Sequence, residues 1–145
     1  MAPLIVLAVV TGSARLIGWL TDICWLGSWP HAVALGLAAM FVLTASAHFA
    51  RPRRDALIAM VPPRLPSARA LVTLTGVLEL AGGVGLLIPA TADLAALCLI
   101  ALLMVMFPAN IRAARADLGI KTMPLSLRTL VHIVFLSACA VVLVG

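Results

Sequence analysis

Five runs of roughly 20 mostly apolar residues follow one another along this chain, at about 3–20, 31–49, 68–88, 91–111 and 125–144. In hydrocarbon every backbone N–H and C=O must be satisfied within the protein, so only helices or closed barrels can cross. Barrel strands would read as ~10-residue alternating segments. These runs are continuous and twice that long, so the expected fold is an all-α membrane protein, one transmembrane domain over residues 1–145 with five spans. The chain is 64% hydrophobic and 10% charged, against about 45–50% and 25% in soluble domains. Disordered, collagen-like and disulfide-framework classes fall with the same numbers, since only three cysteines are present. The first run is interrupted by Thr11, Gly12, Ser13 and Arg15. No Lys or Arg precedes it and no A-x-A pattern follows, so it reads as a retained helix rather than a signal peptide.

The connections carry the charge. Arg51, Arg53, Arg54, Arg64 and Arg69 lie in the loop 50–69, and Arg112, Arg115, Lys121 and Arg128 in the loop 112–128. The other two loops hold no Lys or Arg. The net charge of +5 therefore points to membrane orientation rather than nucleic acid, and the positive-inside rule puts both basic loops and the N-terminus in the cytoplasm. Trp19, Trp25 and Trp29 then fall at the outer interface. Pro62, Pro63 and Pro66 rule out a continuous helix between the second and third spans. The piece with Leu57, Ile58, Met60 and Val61 suits one or two interfacial turns. Pro89 makes the next hairpin tight, while Gly119, Lys121 and Pro124 fill the loop before the fifth span.

An ionisable residue inside a membrane costs at least ~2.5–3.5 kcal/mol, so each is a candidate for function. Glu79 stands eleven residues into the third span and Arg15 about twelve into the first, depths of about 16 and 18 Å. The matched depths predict a buried Arg15–Glu79 pair, with Arg15 snorkelling toward Asp22 as the alternative. Gly76, Gly82 and Gly83 share a face with Glu79 and suit either close helix packing or a flat ligand. Gly36, Met40, Thr44 and His48 recur every four residues on the second span. Asn110 follows Pro108 on the fourth, where a kink is expected, and His132 lies one to two turns into the fifth. Together His48, Asn110 and His132 predict a cavity open to the cytoplasm with Glu79 and Arg15 at its floor. The competing reading is a wet interfacial His48 and a His132 bonded to a neighbouring helix. His31, beside Trp29 and Pro30, reads as a solvated loop histidine. Cys24, Cys98 and Cys139 lack C-x-x-C or metal-ligand spacing, so no metal and no catalytic residue is expected. No P-loop, H-E-x-x-H or G-x-S-x-G occurs.

The order of segments resembles the DoxX family of small membrane proteins. The resemblance rests on Gly36 to Phe41 running to Ala47-His48-Phe49, on Met60-Val61-Pro62 with Leu65-Pro66, on Thr75 to Leu80 through Gly85 to Pro89, and on Phe107 to Ile111. It covers roughly residues 34 to 144. It implies a four-helix transmembrane bundle, to which the segment with Arg15 is an N-terminal addition. It also implies a role beside other proteins: subunits tied to thiosulfate or quinol oxidation, a membrane partner of detoxifying enzymes, receptor-assembly chaperones.

The expectation is an accessory subunit of a membrane redox or oxidative-stress system, not an enzyme by itself. A quinone-like lipid would sit between its helices, held by Glu79, His132 and Asn110. The alternative is a scaffold or assembly factor that binds a membrane protein or a second copy through small-residue faces. A proton-coupled carrier comes third, because five helices are few and no matching halves are evident.

Overall fold

The computed structural model describes residues 1–115 and 123–145; Gly119 and Lys121 lie outside them. Among the described residues all regular structure is helical: α1 (Ala2–Thr21), α2 (Cys24–Gly27), α3 (Trp29–Phe49), α4 (Arg53–Met60), α5 (Ala68–Gly85), α6 (Ala92–Arg115) and α7 (Leu125–Leu143). Five of them, α1, α3, α5, α6 and α7, are long and apolar enough to cross a membrane, the make-up of a multi-pass membrane protein. The ends follow local chemistry. Pro3 and Pro30 occupy first turns, where a missing N–H costs nothing. Ser28 Oγ accepts from the His31 N–H at 3.4 Å and starts α3.

Two ends depart from expectation. α5 stops at Gly85 rather than near Ile88, because the chain turns there through Leu87 N–H to Val84 O and Ile88 N–H to Gly85 O. The Thr91 hydroxyl donates to the Gly85 carbonyl at 2.9 Å and closes that turn. α6 continues through Pro108 to Arg115, a turn beyond the expected end, so the proline does not terminate it.

Helices α3, α5, α6 and α7 form a ring in which each packs on the next and α7 returns to α3. α1 lies outside this ring against α3. α3 therefore has neighbours on most sides, and Ala32, Ala34, Leu37, Ala38, Met40, Phe41 and Ala45 are all buried. Leu37 and Phe41 meet Leu99, Phe135 and Cys139 in the core of the ring. In lipid such packing is driven by dispersion and close fit rather than by water exclusion. The fit against α1 depends on Gly36, which touches the Thr11 side chain and lies so close that a Cβ would stand 2.9 Å from the Leu7 carbonyl oxygen. A backbone oxygen cannot move aside as a side chain can, so any larger residue there must part the two helices.

The ends of the bundle are tied by side chains. Arg54 of α4 donates to the His48 carbonyl at 2.6 Å, the end of α3, and to Thr73 Oγ1 of α5 at 2.8 Å. Arg112 of α6 donates to the Val61 carbonyl at 2.7 Å, just after α4. The basic loop is thus a clamped two-turn helix. At the opposite end His31 is not a solvated loop residue. It stands in the first turn of α3, stacked on Trp25 at 4.7 Å with its Nδ1 2.6 Å from Ser28 Oγ.

Candidate functional site

The Gly36–Met40–Thr44–His48 stripe faces into the bundle, and its inner end meets α5. His48 and Glu79 are both buried, with side chains 4% and 6% exposed, and His48 Nε2 lies 3.5 Å from Glu79 Oε1. The Thr44 hydroxyl donates to Glu79 Oε2 at 2.7 Å. His48 Nδ1 lies 2.8 Å from the Val72 carbonyl and 3.1 Å from Thr75 Oγ1. A carbonyl only accepts, so Nδ1 carries a proton. The Nε2–carboxyl contact is then attractive only if one further proton is held between the two groups, on either side. The cluster contains its own acceptors and donors, and none is turned to an opening.

Gly76 makes this seat. A Cβ there would lie 2.6 Å from His48 Cβ and 3.0 Å from Cγ, so the imidazole occupies the space a side chain would need. A glycine three residues before the glutamate puts the notch and the carboxyl on one face of α5. Gly82 performs a similar service for Leu99 of α6, whose side chain would meet a Cβ at 2.6 Å. Gly83 keeps ordinary contact with Ala38 and Phe41, at 3.5 Å.

The expected Arg15–Glu79 pair is not formed. Arg15 Nη1 donates to the Gly27 carbonyl, and its guanidinium lies over the Trp29 ring at 4.7 Å. Glu79 is level with Thr44, fifteen residues along α3 from Trp29, an axial distance of about 22 Å. The matched depths assumed helix ends that are flush. In fact His48, near the end of α3, is level with Val72 and Gly76, so the first turn of α5 overshoots α3. Counted from the end of α3, Thr44 and Glu79 are only about 7 Å deep.

The remaining candidates are placed separately. Asn110 Oδ1 accepts from Arg128 Nη1 at 2.7 Å, joining α6 to α7. His132 is buried against Phe107, ring centroids 4.7 Å apart, and its Nε2 has no hydrogen-bond partner among the described residues. Among the described residues, the three cavities best defined are lined by none of Glu79, His48, Asn110 and His132. The largest, about 650 Å³, is a groove between α5 and α6 walled by Leu78, Leu94, Leu102 and Val105. Its polar residues are Thr91, whose hydroxyl is spent on the Gly85 and Ile88 carbonyls, and the free thiol Cys98. Among the described residues no group of three or more His, Cys, Asp or Glu could hold a metal ion. Arg54 is the cluster residue that sequence reasoning missed. It was counted as one charge in a basic loop, and only its position six residues past His48 hints at a helix-end role.

A four-helix ring of membrane-spanning length, locked by a buried histidine–glutamate contact, is the class of protein that these observations define. Residues 37–143 match the family described as a domain of unknown function, DUF8561, and the chain belongs to that family. The matched stretch covers the ring from Leu37 onward and excludes α1. Comparisons with curated proteins and with solved structures give no match.

Proposed function

We propose that the chain is a DoxX-like accessory subunit of a membrane redox or oxidative-stress assembly, acting by helix packing rather than by chemistry of its own. The basic loops 50–69 and 112–128 face the cytoplasm in this reading, as their arginines favour. One observation carries the proposal. The polar groups within the spans are largely consumed in helix-to-helix contacts: Glu79 with Thr44 and His48, and Asn110 with Arg128. Two of the stretches on which the resemblance rests, Ala47-His48-Phe49 and the helix with Gly76 and Glu79, meet in that lock. A quinone head needs a hydrogen-bond donor in an open, mostly apolar pocket. The large α5–α6 groove has its hydroxyl turned inward instead.

Native mass spectrometry of the chain extracted with lipid tests the reading. A stoichiometric redox-protein partner and no quinone is the expected result. A bound quinone that disappears in Glu79→Leu would overturn it in favour of a ligand site.

A further inference from the structure

At the end of the bundle away from Glu79, α1 turns into α2 around a surface cavity of about 270 Å³. Arg15, Gly18 and Asp22 line it and stand at i, i+3 and i+7, on one face of the helix, with Arg15 and Asp22 two turns or about 10 Å apart. Gly18 between them has no side chain. It packs so closely on α2 that a Cβ would lie 2.6 Å from the Leu26 carbonyl carbon, so the cavity floor there is backbone.

The two charged ends do not neutralise each other. Among the described residues Arg15 and Asp22 form no ion pair, and the Asp22 carboxylate has no hydrogen-bond partner. Arg15 is held by the Gly27 carbonyl and the Trp29 face, which fixes the guanidinium in place. Its Nη1 is spent on that carbonyl, whereas Nη2 has no acceptor among the described residues and, unlike Nε, is not buried, so it is left for a bound acceptor. Asp22 sits at φ 53, a left-handed conformation uncommon outside glycine and tolerated by aspartate. Trp19, which also lines the cavity, is 75% exposed and Trp29 60%, as befits rings at a membrane–water interface.

We propose that this cavity binds the headgroup of a zwitterionic phospholipid, with the phosphate on Arg15 and the ammonium on Asp22. The charges select the ligand. Asp22 repels an anion that lacks a cationic arm, and Arg15 repels a bare amine. A phosphate and an ammonium joined by two carbons satisfy both ends of one small gap. The flanking tryptophans place the gap at headgroup depth, which favours a lipid over the free headgroup. The proposal stands apart from the accessory role, since no residue of the Glu79 lock takes part.

The full chain is purified in mild detergent and titrated with phosphatidylethanolamine or phosphatidylglycerol, and retained lipid is counted by native mass spectrometry. The expected result is one phosphatidylethanolamine held about tenfold more tightly than phosphatidylglycerol, the scale of one charge-assisted contact. Asp22→Asn, at an exposed site outside the core, should abolish that preference while leaving phosphate binding. Arg15→Gln should weaken both lipids. Equal retention of the two lipids by the unaltered chain, or an unchanged preference in Asp22→Asn, would overturn the proposal. So would phosphoethanolamine in solution binding as tightly as the lipid.

Discussion

Replacing Glu79 by leucine removes the acceptor of the Thr44 hydroxyl and the partner of His48 Nε2 in one step. In a soluble core, breaking a buried pair costs roughly 3–5 kcal/mol. Interhelical hydrogen bonds in membrane proteins average only about 0.6 and reach about 1.7 kcal/mol, because separated helices in lipid also find partners. The membrane scale applies here, so two lost contacts predict a cost of about 1–3 kcal/mol for Glu79→Leu. Thr44→Val, which removes one contact, should cost about 1 kcal/mol or less. A double-mutant cycle separates the partners. His48→Leu with Glu79→Leu should show a coupling of about 1 kcal/mol. Arg15→Leu with Glu79→Leu should add within about 0.5 kcal/mol, as expected for sites far more than ~10 Å apart. Unfolding free energies in bicelles, read by steric trapping, provide the measurement. A coupling above about 1 kcal/mol between Arg15 and Glu79, or none between His48 and Glu79, would refute the assignment of partners.

Gly76→Ala drives a methyl into His48 and should cost about 1–3 kcal/mol in the same assay. Gly82→Ala should cost less than Gly36→Ala, since Leu99 can rotate but the Leu7 carbonyl cannot; thermal unfolding in detergent ranks the two. Arg54→Gln should release α4 and speed amide exchange over residues 53–60 without loosening α7, which hydrogen exchange by mass spectrometry resolves. For topology, the exposed Cys24 should react with an impermeant thiol reagent from outside the cell, and Ser126→Cys only from within. The reverse pattern would invert the proposed orientation.

The spans were legible because apolar length is a strong signal, and α1, α3 and α7 fall within about two residues of their expected ends. A bundle of four helices was expected from the resemblance, but the order in which α3, α5, α6 and α7 close a ring was not, since apolar periodicity does not name neighbours. The site was half legible. Glu79, His48 and Gly76 each drew notice, but their meeting was hidden by a depth count that started at each helix's own end. A helix overshooting its neighbour by a turn shifts every such pairing by about 5 Å. Arg15 lies much further off because α1 starts well short of the α3 end: Leu7 and Thr11 are level with Gly36, so Arg15 reaches the Trp29 end. Its partner there is a backbone carbonyl in α2, a short helix without periodicity to announce it. Arg54 was hidden because sequence counts charges per loop and does not say which one folds back on a helix end.

The α3–α5 lock also bears on how the chain enters a bilayer at all. Of the five spans α5 has the lowest mean hydropathy, 1.2 against 1.8 to 2.4 for the others, and it carries Glu79. Left to partition alone from the insertion machinery, it is the segment with the smallest margin, since a carboxyl within a span subtracts from an already modest apolar gain. Synthesis runs from the N-terminus, so α3 is already present when α5 emerges, with Thr44 and His48 available to receive the carboxyl. Entry of α5 is then helped by a neighbour that arrived first, and the chain order from α3 to α5 becomes part of the pathway of assembly. A version in which α5 preceded α3 would contain the same contacts and lack that assistance.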